Sequence, residues 1–304
     1  TNIMTMDGAE LSVSTTDRYQ NDIGDFQKSP GWRFFEDTHV TESISEAVQV
    51  RFDLNETNTY MSMFVPTGVN REYTKALGPA TREAKGGYIN KKTQVLAVRQ
   101  QGEAWDKPYV HIFEPSKSTN TSVKSVEHLY TGDVIVGAKV YSQIGDKVVT
   151  DYVICQEDAS QVFALAEEGI NFTGRFAVVR YEQILDKAYV TLYIGEGTSL
   201  SYGIYSLTAD ANKKGQKVIE VAADMSRVLG FKNLSNNQEI EKGSDLTVEA
   251  IIGTDFTEAT LYVNDVKLST LTKEPYAWSS VPELTNLRSR YEPDTGGYPY
   301  RPNQ

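Results

Sequence analysis

The sequence has few of the residues that build redox and metal sites. Its 304 residues include one cysteine, Cys155, and three histidines, His39, His111 and His128. A single cysteine cannot form an internal disulfide or supply a zinc cluster. No two histidines stand at the HxH or HxxxH spacing typical of metal ligands. We therefore predict no metal ion and no cofactor, and we expect Cys155 to be a small core residue.

Positive charge is also scarce. Lys and Arg total 30 against 41 Asp and Glu, a net charge of -11, which argues against nucleic-acid binding because a phosphate backbone is bound by surplus cations. No run reaches the ~18 apolar residues that indicate a membrane span. The chain opens TNIMTMDGAE, without an initiator Met, a basic region or an apolar region. We expect a segment of a longer protein, with any export signal removed or upstream.

Aromatic and β-branched residues are abundant, and they recur in short alternating runs. The chain has 18 Tyr and 11 Phe, residue types that pack well on a pleated sheet. Strands are predicted at 45–54, 59–66, 93–100, 108–115, 134–144, 147–156, 172–182, 187–197 and 201–208. Short connections such as IGD and LD predict antiparallel pairing. The predicted fold class is all-β: a large antiparallel β-sandwich with a second, smaller β-sandwich domain.

Two connections in the first half stand out. Residues 68–90 contain the turn-forming pairs Gly-Pro and Gly-Gly and show no sustained periodic pattern of apolar residues. This sequence predicts a long irregular loop. The segment QGEAWDK, residues 101–107, is predicted to be the loop of a hairpin between the strands at 93–100 and 108–115.

A polar stretch, ADANKKGQKV at 209–218, predicts a linker. We therefore divide the chain into a domain at 1–210 and a domain at 217–304. Within the second domain, strands and turns alternate as in a β-sandwich. Asn264-Asp265 is a hairpin signal, and SRVLGFK, residues 226–232, is predicted to form one helical turn at most.

Three blocks in the first domain carry a family resemblance. They read GWRFFEDTHVTESISEAVQVRFDL, MFVPTGVNREYTKALGPATREAKGGY and VLAVRQQGEAWDKPYVHIFEPS. Together they resemble the β-rich C-terminal region of heparinase II/III-like polysaccharide lyases, over about residues 30 to 210. The resemblance implies an N-terminal α/α toroid as a partner, followed by stacked antiparallel sheets. It also implies cleavage of uronate-containing, anionic polysaccharide by β-elimination.

The segment LTVEAIIGTDFTEATLYVNDVKLSTLTKEPYAW is similar to Ig-like modules appended to secreted carbohydrate-active enzymes. The residues that carry this similarity are Leu261, Tyr262, Val263, Asn264, Pro275, Tyr276 and Trp278. The similarity implies that the second domain is Ig-like and serves as a spacer or adaptor. It also implies that the protein is secreted, periplasmic or exposed at the cell surface.

No residue is secured as catalytic by its spacing. The toroid that supplies the family's catalytic Tyr, His and Asn has no counterpart in this sequence, so we expect the chain to be inactive alone. Candidate substrate-binding residues are instead Arg71, Tyr73 and Arg82, which lie in the locally basic text of 68–90. Such charges could attract an anionic glycan, although a solvated loop explains them equally simply.

The loop text at 99–107 supplies the other substrate-binding candidates, Arg99, Glu103 and Trp105. Tryptophan faces can stack on sugar rings, and a guanidinium matches a carboxylate. In the alternative, which we favour at this point, Trp105 closes the end of the sandwich and Arg99 pairs with Glu103 across the hairpin.

Three functions remain open. The first is a non-catalytic C-terminal β region of a secreted polysaccharide lyase. The second is a stand-alone module that binds anionic polysaccharide. The third is a small lyase that uses Tyr73, Arg82 and His111 in a sheet cleft.

Overall fold

The computed structural model describes most of the chain. The described residues are 1–19, 31–54, 58–81, 83–102, 104–185, 187–210, 214–222, 228–232, 234, 246–252, 258–263 and 266–279. Within them strands predominate, and helical structure is confined to 3-10 turns at Trp32–Phe34, Gly86–Tyr88 and Ala166–Glu168. The predicted all-β class is confirmed. No helix in this part of the chain is long and apolar enough to cross a membrane.

The chain forms two compact units. The first comprises Thr1–Gln156 and Arg180–Leu185, and the second comprises Glu157–Val179 and Asp186–Gln304. This division differs from the boundary predicted between residues 210 and 217, which stays a prediction.

The first unit contains three antiparallel sheets. Its strands are β1 (Asn2–Thr5), β2 (Ser14–Thr15), β3 (Glu36–Val40), β4 (Val48–Leu54), β5 (Thr59–Val65), β6 (Glu72–Gly78), β7 (Thr93–Arg99), β8 (Ile112–Ser116), β9 (Val123–Thr131), β10 (Val134–Ile144) and β11 (Lys147–Cys155). One sheet has the order β1-β4-β5-β8, the second β2-β3-β6-β7, and β9, β10 and β11 pair in that order in the third.

Two of these sheets form a sandwich. Val48 and Val50 of β4 and Met63 of β5 pack with Tyr73 of β6 in one cluster of buried side chains. Each strand places alternate residues on one face, so the opposite face of β5 carries Phe64. Phe64 packs instead with residues of β9 and β10. The sheet containing β4 and β5 is therefore covered on both faces.

The structure corrects the prediction of a long loop at 68–90. Strand β6 occupies Glu72–Gly78 and pairs with β3 on one side and β7 on the other. The apolar pattern does not indicate this strand because one of its buried positions is occupied by polar Thr74. The Thr74 hydroxyl accepts a hydrogen bond from Tyr19 Oη at 3.2 Å.

The predicted hairpin around residues 101–107 is also wrong. Strand β7 pairs with β6, whereas β8 pairs with β5 in the other sheet. Because the unpredicted β6 supplies the partner for β7, the chain after Arg99 crosses from one sheet of the sandwich to the other.

The second unit contains two groups of strands. The first group is β12 (Val162–Leu165), β13 (Ile170–Ile184, of which the last residues belong to the first unit), β14 (Lys187–Tyr202), β15 (Tyr205–Thr208) and β16 (Gly215–Ala222). β14 pairs with both β15 and β16. Fully buried side chains include Phe163, Ile170 and Leu192. β16 begins inside the stretch predicted to be a linker, so these residues are hydrogen-bonded to a long strand.

The second group of strands follows in β17 (Val228–Phe231), β18 (Val248–Ile252), β19 (Ala259–Val263), β20 (Val266–Leu271) and β21 (Ala277–Trp278). β17 occupies Val228–Phe231, within the segment 226–232 for which one helical turn at most is predicted; residues 226 and 227 lie outside the described residues. β19 and β20 pair antiparallel, with Val263 opposite Val266, as the hairpin prediction requires; the turn residues themselves lie outside the described residues. Leu261, Tyr276 and Trp278 share a separate core cluster.

Cys155 is another correction. Its side chain is exposed at the end of β11, because the period-two alternation places Ile154 in the core instead.

Candidate functional site

The most distinctive surface feature of the first unit is the segment that crosses between the sheets, residues 100–108. We call it the crossover loop. At its tip Trp105 is 84% exposed. The prediction that Trp105 closes the end of the sandwich is therefore wrong. The indole faces solvent because the loop bridges two sheets and does not fold back over one, although its next residue is fixed by the hydrogen bond from Ile135 N to Asp106 O at 2.8 Å.

The base of the crossover loop is fastened by a hydrogen-bond network around Arg71. Arg71 Nε donates to Gln100 Oε1 at 2.9 Å, and Arg71 Nη2 donates to Pro108 O at 2.9 Å. Gln100 Nε2 donates to Lys107 O at 3.0 Å, and Gln100 N donates to Tyr109 Oη at 3.2 Å. Both ends of the loop are thus tied to one guanidinium, which fixes the base from which Trp105 projects.

A cavity of about 410 Å³ lies beside this base. Its lining includes Glu72, Arg99, Gln100 and Lys107. Glu72 Oε2 accepts a hydrogen bond from Arg18 Nη1 at 2.8 Å and lies 3.5 Å from Arg99 Nη1. Glu72, the one carboxylate among the described lining residues, is therefore engaged by two arginines.

Arg71 itself is fully buried, at 0% exposure. Its guanidinium carbon lies 4.9 Å from the centre of the Tyr109 ring, a cation–π contact. Among the described residues no carboxylate pairs with it, and burial lowers the pKa of the guanidinium from its ordinary value. An arginine nonetheless stays charged, so the described part of the sandwich holds a buried cation with no opposing carboxylate.

Two histidines lie in the field of this cation. Burial, and secondarily the charge of Arg71, lowers the pKa of His111. Burial also lowers the pKa of His128, and Arg71 adds to this effect against the opposing hydrogen bond with Thr67. His128 Nδ1 lies 2.7 Å from Thr67 O; since a carbonyl only accepts, Nδ1 carries the proton. Burial therefore favours the neutral form of both imidazoles.

The six predicted substrate-binding residues differ in burial and position. Arg71 and Tyr73 are buried rather than displayed on a basic loop, because Tyr73 belongs to β6 and Arg71 directly precedes it. Arg99 lines the cavity, and Trp105 is exposed. Arg82 and Glu103 lie outside the described residues, so the predicted pairing of Glu103 with Arg99 stays a prediction. Arg99 Nη1 lies 3.5 Å from Glu72 Oε2.

Tyr73 is unsuited to surface contact with a polymer. Its side chain is 1% exposed, and burial raises its pKa to about 12 although the charge of Arg71 opposes the change. The hydroxyl is therefore protonated at physiological pH.

Sequence reasoning missed the residues that organise the site. Gln100 and Tyr109 are not among the predicted candidates, and His128 is considered there only as a metal ligand. Tyr109 and His111 nevertheless alternate with Phe113 as an aromatic series, with ring centroids 6.1 and 6.3 Å apart. His128 lies in β9, remote in sequence, so only the fold brings it near Arg71.

No three His, Cys, Asp or Glu side chains in the described part of the chain are grouped so that they could hold a metal ion. His39 lies on β3, where its ring is 3.5 Å from the carboxylate of Asp37.

Comparison with known proteins identifies related sequences. Residues 123–219 match the family described as the endo-acting ulvan lyase C-terminal domain. An endo-acting ulvan lyase from Formosa agariphila is 45% identical over 214 residues, which cover 70% of this chain and 26% of that protein. The chain thus spans about a quarter of the length of this curated relative. No solved structure matches the chain.

These comparisons support the expected resemblance to a polysaccharide lyase C-terminal region. The matching family and the matching relative are ulvan lyases, whereas the resemblance drawn from the sequence was to heparinase II/III-like lyases. The Ig-like assignment stays a prediction.

Proposed function

We propose that the chain is the C-terminal β region of a secreted polysaccharide lyase, and that it binds the uronate-containing polymer without cleaving it. The relative's name makes ulvan the first candidate polymer. The observation that carries the binding role is the exposed Trp105 on a loop whose base is fixed beside a cavity lined by Arg99 and Lys107.

This arrangement suits an anionic sugar chain for physical reasons. An exposed indole offers a flat apolar face to the C–H groups of a pyranose. The neighbouring cations attract carboxylate or sulfate groups, and a fixed loop loses little entropy on binding.

A small, self-sufficient lyase is less well supported. β-Elimination needs a base for the proton beside the carboxylate. Of the set Tyr73, Arg82 and His111, Tyr73 is buried with a pKa raised to about 12, so it is a poor base at neutral pH. We therefore retain an N-terminal partner domain, an α/α toroid in the family resembled, as the proposed source of catalytic groups.

The remaining parts of the chain fit a supporting role. Strands β18 to β21 have their own core around Trp278, whose indole Nε1 donates to Ser269 Oγ at 3.0 Å. We propose that this part is an Ig-like adaptor, and that the protein acts outside the cytoplasm on extracellular polymer.

Affinity electrophoresis tests the proposed binding role. We expect the chain to be retarded in gels that contain ulvan but not in gels that contain a neutral galactan, and retardation should weaken with added salt because the contacts are partly ionic. Incubation with ulvan should give no rise in the absorbance of unsaturated uronate. Equal mobility in all gels would contradict binding, and steady product formation by the chain alone would contradict the non-catalytic role.

A further inference from the structure

The first unit has a second cavity, of about 500 Å³, beside the start of strand β7. Phe52 of β4 and Met61 of β5 contribute apolar side chains to its lining. Tyr88 and Lys91 line it from the segment that precedes β7. Tyr88 is 60% exposed, and Lys91 Nζ lies 4.9 Å from the centre of its ring. An accessible aromatic ring and a cation therefore stand beside an apolar wall, and we call this cavity the Tyr88 cavity.

The charged residues in this lining are lysines. Lys91 and Lys92 line the Tyr88 cavity, and none of the described residues that line it is an aspartate or a glutamate. Lys92 Nζ lies 2.7 Å from Glu36 Oε1, but both side chains are exposed, and an exposed ion pair holds its partners weakly. Because the chain as a whole has more acidic than basic residues, a lining with two cations and no carboxylate favours an anionic ligand at this place.

The Tyr88 cavity and the cavity beside the crossover loop lie at opposite ends of β7. Thr93 and Gln94, the first residues of this strand, line the Tyr88 cavity, whereas its last residue, Arg99, lines the other cavity. A strand rises about 3.3 Å per residue, so the two ends of β7 are about 20 Å apart. Among the described strands β7 is the last of its sheet. This edge of the sandwich therefore extends from one cavity to the other.

Aromatic side chains follow the same edge on the other sheet, in which β8 is the last of the described strands. Tyr109 is 44% exposed and Phe113 is 57% exposed. The ring of His111 contacts both, with centroid distances of 6.1 and 6.3 Å. Two residues further along β8, Pro115 is exposed and lies opposite Met61, which lines the Tyr88 cavity. The series thus leads from the end of the crossover loop to the Tyr88 cavity.

The exposure of Phe113 shows that the sandwich is open along this edge. Phe113 pairs with Met63 of β5, and the side chains of directly opposite residues lie on one face of a sheet. Met63 is 3% exposed and belongs to the core cluster against which Leu96 of β7 packs. Phe113 lies on the same face of its sheet as Met63 but is not covered. An apolar surface between the two cavities is therefore accessible to a ligand.

We propose that the Tyr88 cavity is a second binding site for the acidic polysaccharide, and that one polymer chain extends from it over Phe113 and Tyr109 to Trp105. The assignment rests on the proposed polysaccharide-binding function. Tyr88 and Phe113 offer flat rings to the C–H groups of sugars, and Lys91 attracts a carboxylate or sulfate group. Once a polymer has bound at one site, the other site meets a tethered ligand, so two weak sites together bind a long chain tightly.

The affinity of matched variants for long ulvan chains tests the second site. We expect Tyr88→Ala to weaken binding by about tenfold or more, because the contribution of the tethered second site is lost. Its melting temperature should stay close to that of the parent, because the ring is exposed. Ile89→Ala is the control. Ile89 is the next residue, is 57% exposed and does not line the Tyr88 cavity, so this variant should bind as the parent does.

Protection of lysines from an amine-acetylating reagent tests the same site in the unmodified chain. Lys91 and Lys107 line the two cavities, so ulvan should slow the acetylation of both several-fold, whereas a neutral galactan should slow neither. If one polymer chain spans both sites, the two lysines should be half protected at the same ulvan concentration. Lys232, which is 67% exposed in the second unit, should react at one rate with and without ulvan.

The second site and the proposed function can fail separately. If ulvan protects Lys107 but leaves the reaction of Lys91 unchanged, or if Tyr88→Ala binds as tightly as the parent, the second site is refuted and binding at the crossover loop stands. Protection of the two lysines at clearly different ulvan concentrations would refute a single spanning chain. If ulvan neither retards the protein nor protects either lysine, the proposed function is refuted together with the second site.

Discussion

Arg71→Met is expected to lower the free energy of unfolding by about 2–4 kcal/mol and to abolish retardation by ulvan. The substitution removes the donors to Gln100 Oε1 and Pro108 O, which leaves two half-buried acceptors without these partners and frees both ends of the crossover loop. Stability falls because of the unsatisfied acceptors. Binding falls because Trp105 is no longer held in place.

Chemical denaturation and affinity electrophoresis measure the two effects on the same sample. Arg175→Met is the matched control, because Arg175 lies on an exposed strand position, with 50% of its side chain accessible, and pairs only loosely with Glu196 at 3.4 Å. An exposed ion pair contributes up to about 1 kcal/mol, so this variant should behave nearly as the parent. An Arg71→Met protein of unchanged stability and unchanged mobility would show that the guanidinium does not organise the loop.

Gly137→Ala is expected to destabilise the first unit by about 3 kcal/mol or more. A Cβ at this position would lie 1.9 Å from the carbonyl oxygen of Val153 on the neighbouring strand β11. Backbone on both sides must then move apart, since no flexible side chain can yield. Gly137 also lies at a shift in the register with which β10 pairs with β9.

Thermal unfolding of Gly137→Ala beside Gly31→Ala checks this expectation. No atom lies within 4 Å of a Cβ built at Gly31, so the control should unfold close to the parent temperature. A Gly137→Ala chain as stable as the control would mean that β10 and β11 are not packed as closely as described.

The sequence predicts strands best where apolar residues alternate without interruption. The sequence predicts the strands at 134–144 and 147–156 almost to the residue, because a short turn joins two runs whose buried residues are mostly Val and Ile. Strand β6 was missed because its buried positions include Thr74, which is satisfied by Tyr19 from a distant segment. A polar residue buried by a remote partner breaks the pattern that local reading depends on.

The candidate site was only partly accessible to sequence reasoning for the same reason. The sequence around Trp105 indicates a loop, as the structure has it. The exposure of Trp105, however, depends on whether β7 pairs with β8 or with β6. Pairing partners are not encoded within the loop. Likewise, Arg71 was selected as a surface cation, and its burial follows from contacts with Gln100 and Pro108 that only the folded sheets create.

The most direct test of the account is the ratio of ulvan affinities of the parent chain and Trp105→Ala, measured with their melting temperatures. Tyr262→Ala, which removes a ring that is 57% exposed in the second unit, is the control. Because Trp105 is exposed, its removal should change stability by less than about 0.5 kcal/mol and weaken ulvan binding by about tenfold or more. A sharply lower melting temperature with unchanged affinity would contradict the account, since it would show that the indole is a packing residue.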